Sequence, residues 1–247
     1  MNAALLTVGD ELLAGDIENT NATWIARQLA DRGVTLARIA VVPDDVAVIA
    51  EYVRSFSEGF DAVVVTGGLG GTPDDLTMDG VAAAFDRPLV VNETAREDIE
   101  RTVEAVRDEY PDLDLDVERH ASIPEGSRPL LNTDGLSPGC VAENVYVIPG
   151  IPREMKAMFA GFADDFAGNR VTRTFETSMV EGEVTPTLQD AREELPDVAL
   201  GSYPSRGEEP NRIKVTGEDE AALDAAEAWL REHVRILGEV EDGNRTA

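Results

Sequence analysis

The segment from Asp61 to Thr77, DAVVVTGGLGGTPDDLT, limits what this chain can fold into more than any other. Ala62 to Val65 form a continuous apolar run, the pattern of a strand covered on both faces in a parallel sheet. After Thr66, four glycines within the five residues Gly67 to Gly71 end that strand, and a helical pattern from about Asp75 to Phe85 follows. A plain strand-to-helix turn needs one glycine. Four allow successive backbone N–H groups to turn toward one concavity and let a ligand approach the main chain. The helix behind adds orphan N–H donors and the positive end of its dipole. The spacing is neither the dinucleotide fingerprint G-x-G-x-x-G nor a Walker A loop, since no Gly-Lys-Ser/Thr follows. The segment therefore predicts a cradle for an anionic, phosphate-bearing ligand, built from Gly67, Gly68, Leu69, Gly70, Gly71 and Thr72.

The surrounding pattern alternates strand and helix. Ala3 to Val8 reads as a strand closed by Gly9, with a loop after it. Thr20 or Asn21 can cap a helix with the stripe Ala22, Ile25, Ala26 and Leu29. Val34 to Val42 reads as a strand, and Asp44 or Asp45 can cap a helix with the stripe Val46, Ile49, Ala50 and Val53. Such βαβ units predict a mostly parallel sheet sandwiched by helices over residues 1–168. Glu93 to Tyr110 reads as a charged helix ended by Pro111, and Pro111 to Val117 as a weak edge strand or loop. Glu143-Asn144 reads as a tight hairpin, and Pro152 opens a helix through about Phe166. Near residue 169 the character changes. The rest reads as a small β-α-β-β-α module over 169–236, with a helix opening at Pro186, and residues 237–247 as a flexible tail.

The carboxylates that end these strands carry the chemistry. Asp74 and Asp75 follow the cradle directly. Beside a phosphate site they either cap the helix or manage a hard cation held by oxygen ligands. Gly9, Asp10 and Glu11 end the first strand, and Asp44 the second. In a parallel sheet those ends share one edge, so Asp10, Glu11, Thr20, Asn21 and Asp44 can reach the same crevice. Capping explains Thr20 and Asn21 nearly as well.

Charge narrows the partners. The net charge is −28, and the only lysines are Lys156 and Lys214. Nucleic acid and anionic membranes are excluded as partners, because both require a basic footprint. An acidic surface with few lysines fits a halophilic protein, in which salt screens repulsion between carboxylates. With one cysteine, Cys140, and two histidines, His120 and His233, neither a disulfide nor a thiolate or histidine-rich metal site is expected. No signal peptide or membrane span is legible, so a cytoplasmic protein is expected.

The motifs taken together resemble a known family. Gly9-Asp10-Glu11-Leu12-Leu13-x-Gly15, Thr20-Asn21, Asp44-Asp45 and Thr66-Gly67-Gly68-Leu69-Gly70-x-Thr72-x-Asp74-Asp75-x-Thr77 are similar to the N-terminal domain of the CinA (competence/damage-inducible) proteins, within the MoaB/Mog molybdopterin-binding fold. Pro124-x-Gly126, Asn132, Gly135, Pro138-Gly139 and Pro149-Gly150-Ile151-Pro152-x-Glu154-Met155 continue the match. The resemblance implies a three-layer α/β/α domain, with a small α+β module after it. It adds Thr77, Asn132, Pro138, Gly139 and Gly150 to the ligand-binding residues Gly9, Glu11, Asn21 and the glycine loop. It implies Asp75 and Asp44 as catalytic residues, and Asp75, Asp74 and Asp10 as ligands of a divalent cation.

Two activities go with that family. Mog-type members bind or adenylylate molybdopterin, and CinA-type members are linked to metal-dependent hydrolysis of ADP-ribose and similar nucleotide pyrophosphates. The first expectation for this chain is a metal-dependent nucleotide pyrophosphatase. The alternatives are molybdopterin binding or adenylyl transfer, and a non-catalytic nucleotide- or pterin-binding module. A homo-oligomer is expected. Full-length CinA proteins carry a further amidohydrolase domain acting on nicotinamide mononucleotide, for which 247 residues leave no room. The family usually has proline where Gly71 stands.

Overall fold

The computed structural model describes residues 1–107, 115–205 and 209–240. The elements of the first part are β1 (Asn2–Val8), α1 (Asp10–Ala14), α2 (Thr20–Ala30), β2 (Thr35–Val42), α3 (Val46–Gly59), β3 (Ala62–Thr66), α4 (Thr77–Ala84), β4 (Leu89–Val91), α5 (Glu93–Val106), α6 (Val117–His120), β5 (Ser122–Pro124), β6 (Arg128–Leu130), β7 (Gly139–Ala142), β8 (Val145–Ile148) and α7 (Pro152–Ala160). The second part comprises β9 (Val171–Thr177), α8 (Glu181–Glu194), β10 (Ala199–Tyr203), β11 (Asn211–Gly217), α9 (Glu220–His233) and β12 (Ile236–Val240). The chain divides into two compact units, Met1–Gly168 and Asn169–Ala247.

In the first unit a six-stranded sheet has the order β2-β1-β3-β8-β7-β6. β1 pairs in parallel with β2 and β3, and β3 with β8, whereas β7 and β6 add antiparallel pairs at one side. The apolar run of β3 is thus central and fully buried, as its composition requires. Alternation along the strands feeds two cores. Ala4, Leu6, Val8, Val63 and Val65 pack with Ile49 and Val53 of α3 and Val81 of α4. Ala3, Leu5, Ala62 and Val64 pack with Ile25 and Leu29 of α2 and Met155 and Phe159 of α7. The result is a three-layer α/β/α unit. Ile49 and Val53 are fully buried, so truncating either to Ala removes about 2–5 kcal/mol.

Several boundaries differ from the expected ones. The stretch after Gly9 is a short helix, Asp10–Ala14, closed by Gly15 in the left-handed region. Helix α2 is capped by Asn19, whose side chain accepts from Ala22 N, and not by Thr20 or Asn21. Asp45, and not Asp44, caps α3, accepting from the N–H groups of Ala47 and Val48. Helix α4 begins at Thr77 with no side-chain cap, two residues later than its apolar pattern suggested. The helix from Pro152 stops at Ala160 and a 3-10 turn, Ala163–Asp165, follows. The Glu143-Asn144 turn joins β7 and β8 as expected, with Glu143 at positive φ. Helix α5 runs to Val106; the expected end at Tyr110, Pro111 and part of the Pro111–Val117 segment lie outside the described residues.

The second unit is an antiparallel sheet in the order β10-β11-β9-β12 with α8 and α9 packed on it. Two expectations are corrected here. Residues 237–240 belong to a strand, β12, which pairs with β9 along Ile236–Val240; the alternating side chains of this short edge strand left little periodic signal. Helix α8 starts at Glu181, five residues before Pro186. The Thr185 hydroxyl donates to Glu181 O at 2.7 Å, and the early glutamates suit the positive end of the helix. The expected tail at 241–247 lies outside the described residues.

Candidate functional site

The carboxyl ends of β1, β2, β3 and β8 meet at one edge of the parallel sheet, which is where such folds place ligands. Backbone bonds draw these ends together. Gly9 N donates to Val42 O at 3.1 Å, Gly67 N to Ile148 O at 3.3 Å, and the Thr66 hydroxyl to Pro149 O at 2.8 Å. A cavity of about 470 Å³ opens at this edge, within the range of small-molecule sites.

Gly67 to Gly70 of the glycine loop form one wall, whereas Gly71 and Thr72, also expected there, do not line the cavity. The start of the loop is pinned from beneath by Thr77, which is fully buried: its hydroxyl donates to Gly67 O at 2.8 Å and its N–H to Gly68 O at 3.1 Å. Gly67 and Gly68 have φ of 105° and 61°, a region that side-chain-bearing residues rarely enter. A Cβ on Gly67 would also collide with Val8 O, and one on Gly68 with the Thr77 hydroxyl. The Gly67 N–H is spent on Ile148 O, which removes it from the expected cradle. The next four amides, of Gly68, Leu69, Gly70 and Gly71, hydrogen-bond to no other described residue. Four successive uncommitted N–H groups are the physical basis of an anion site.

Asp75 closes the loop. Its Oδ2 accepts from Thr72 N at 2.8 Å and from the Thr72 hydroxyl at 2.6 Å, so neither it nor Asp74 caps α4. Asp75 lines the cavity and Asp74 is exposed outside it. A Cβ on Gly70 would lie 2.5 Å from Asp75 Oδ2, so the carboxylate would have to shift to admit one. Gly71, standing where proline was expected, would place a Cβ 2.7 Å from Cε1 of His120.

Of the other expected residues, Glu11, Asn21 and Gly150 line the cavity. Asn21 Nδ2 donates to Gly150 O at 2.6 Å, which fixes the amide and leaves Oδ1 buried without a partner among the described residues. Gly9 is buried at the end of β1, and a Cβ there would meet the Glu11 carboxylate. Asn132 stands behind the cavity, donating to Glu154 Oε2 at 2.7 Å and Ser137 O at 2.9 Å. Gly139 is inside the sheet, where a Cβ would meet Val147 O, and Pro138 borders a smaller cavity beyond the loop. Asp44 and Asp10 lie at the rim, joined by the 2.9 Å bond from Asp10 N to Asp44 Oδ2. Burial raises the Asp44 carboxyl above its ordinary range, and the charges of Asp10, Glu11 and Asp74 push the same way against the lowering effect of that N–H.

The residues missed from sequence are Glu154 and His120. Glu154 follows Pro152, the first residue of α7, by two positions, which points it into the cavity. That Pro-x-Glu signal was readable. His120 became part of the site only because α6 folds back against Gly71.

The cavity lining contains four carboxylates, Glu11, Glu18, Asp75 and Glu154, and no lysine, arginine or histidine. A phosphate-bearing ligand enters such a lining only with its charge neutralised. Among the described residues no group of three or more His, Cys, Asp or Glu side chains could hold a metal ion alone. Asp75 and the crowded Asp44 are oxygen donors of the kind a hard divalent cation accepts when ligand phosphates and water complete its shell.

Comparison with known proteins agrees with this architecture. Residues 4–168 match the model described as "Probable molybdopterin binding domain". Residues 169–240 match "FAD synthase, middle domain". A protein of Archaeoglobus fulgidus is 36% identical over 230 residues, covering 92% of this chain and 95% of that protein. A CinA-like protein of Frankia casuarinae is 37% identical over 269 residues; the match covers all of this chain and 59% of that protein's length. The crystal structure of the CinA protein of unknown function from Thermoplasma acidophilum is 36% identical, covers 67% of this chain and 97% of that one, and superposes with a TM-score of 0.59. Among the described residues no helix is long and apolar enough to cross a membrane.

Proposed function

The chain belongs to the CinA-like branch of the molybdopterin-binding-domain family, and from that premise we propose that its first unit is a metal-dependent hydrolase of a nucleotide pyrophosphate of the ADP-ribose type. One observation supports this reading: the uncommitted loop amides of Gly68, Leu69 and Gly70 on the wall of a cavity with four carboxylates and no basic side chain. The amides receive one phosphate of the ligand. Asp75, held by Thr72, and Asp44 at the rim are the carboxylates that accept the cation, with Asp10 and Asp74 adding charge nearby. When bound, a divalent cation neutralises the pyrophosphate and makes its bound water acidic enough to act near neutral pH. Val8, Leu12, Ile17 and Ile151 give the cavity an apolar side suited to a flat heterocycle.

A second reading is favoured by the family itself: the same cavity binds molybdopterin, or transfers an adenylyl group to it. Both ligands join a flat heterocycle to phosphate. The deciding experiment incubates the protein with ADP-ribose, related nucleotide pyrophosphates and molybdopterin, with and without magnesium or manganese. Release of AMP from ADP-ribose only with metal supports hydrolysis. Tight molybdopterin binding with no turnover of any pyrophosphate overturns hydrolysis in favour of the second reading.

A further inference from the structure

We propose that His120 is a phosphate-contacting residue, whose ring edge against the bare α-carbon of Gly71 receives the second phosphate of a ligand whose first phosphate lies on the loop amides. The inference rests on the phosphate-binding reading above and adds a subsite to it.

Helix α6 places the ring. Asp116 Oδ1 accepts from Arg119 N at 3.0 Å and starts the turn, and His120 Nδ1 lies 2.9 Å from Asp116 O. A carbonyl oxygen can only accept, so Nδ1 carries the proton and Nε2 is left for a ligand. Nε2 has no hydrogen-bond partner among the described residues. A Cβ on Gly71 would stand 2.7 Å from Cε1 and 3.0 Å from Nε2. The backbone of Gly71 does not need glycine, since its φ is outside the left-handed region. A side chain at 71 would therefore have to displace the imidazole.

Position gives the ring its role. Gly68, Leu69, Gly70 and Asp75 line both the principal cavity and a smaller one on the His120 side. The first lining is acidic without a basic side chain; the second holds His120 and Arg119, the latter donating to Asp79 at 2.8 Å. One thin loop thus separates an acidic cavity from two basic side chains. The smaller cavity is about 30 Å³, room for a phosphate oxygen or a bridging water but not for a ring system. The charged groups around the imidazole are Asp75, Asp79, Asp116 and Arg119, and a water in the smaller cavity can donate one proton to Nε2 and the other to a phosphate oxygen, joining the two.

The test is calorimetric titration of the full chain with inorganic pyrophosphate and, separately, orthophosphate, each with magnesium. His120→Ala is expected to weaken pyrophosphate binding roughly tenfold and orthophosphate less than about twofold, because only the longer ligand reaches the ring. His120→Gln, which keeps a polar group there, should recover part of the loss and guards against a folding defect. Gly71→Ala should give the same selective loss, and the double variant should be no weaker than either single one. Equal weakening of both probes, or none, overturns the contact, and additive losses overturn the link to Gly71. Wild-type protein that binds neither probe sinks the phosphate-binding reading as well; intact wild-type binding with unchanged variants sinks the His120 subsite alone.

Discussion

Gly67 and Gly68 hold φ values of 105° and 61°, whereas Gly70 and Gly71, in the same loop, hold no left-handed torsion. The first pair is locked by neutral bonds to the sheet and α4: Ile148 O, the Thr77 hydroxyl and the Thr77 N–H. Against the second pair lie ionisable side chains, Asp75 and His120. Glycine in the first half thus serves the fold, and in the second half it makes room for two ionisable side chains. A loop that reads as one motif is two devices joined at Leu69, which is itself buried in the core under α4.

The largest effect should follow from damage to the first half. Gly67→Ala forces a side chain into positive φ and against Val8 O, and should cost about 2–4 kcal/mol of stability, read as a lower denaturant midpoint. A midpoint within error of wild type would break the distinction between the halves. Next is Asp75→Asn, in the second half. An Asn oxygen still accepts from Thr72, so folding should be retained while metal-dependent turnover falls by about 10²-fold or more. Asp74→Asn, outside the cavity, is the milder comparison. Near wild-type turnover in Asp75→Asn with metal dependence intact would leave the binding reading ahead.

Salt acts on the charged half and on the whole surface. With a net charge of −28, the melting temperature should rise between dilute buffer and molar KCl as self-repulsion is screened. A flat or falling curve would remove the case for halophilic adaptation. The smallest effect concerns Asp44. Its folded pKa is raised, so its ionised form opposes folding at neutral pH, and stability from this group is regained as pH falls through the raised value. Asp44→Asn should therefore leave the melting temperature unchanged or slightly higher at pH 7 and flatten its dependence in the acidic range, while weakening metal-dependent ligand binding. A clear loss of stability at pH 7 would mean that the bond from Asp10 N outweighs the carboxylate's burial.

The sequence by itself determined the layers and the sheet edge that holds the candidate site. The apolar run of Ala62 to Val65 could only be a doubly covered strand, the stripes of α2 and α3 selected their buried faces, and four glycines after a buried strand required an exposed main-chain cradle. These features were legible because each depends on residues within a few positions of one another. Tertiary structure decided which polar groups take part. Asp74 and Asp75 are identical in sequence terms, yet only Asp75 lines the cavity. Gly67 lost its N–H to Ile148 O, eighty-one residues away, and Asn132 became a support for Glu154. His120 met Gly71 because α6 returns to the loop. Hydrogen-bond geometry over a few tenths of an ångström settles each of these choices, and that geometry comes from packing between distant segments, on which local periodicity carries no information.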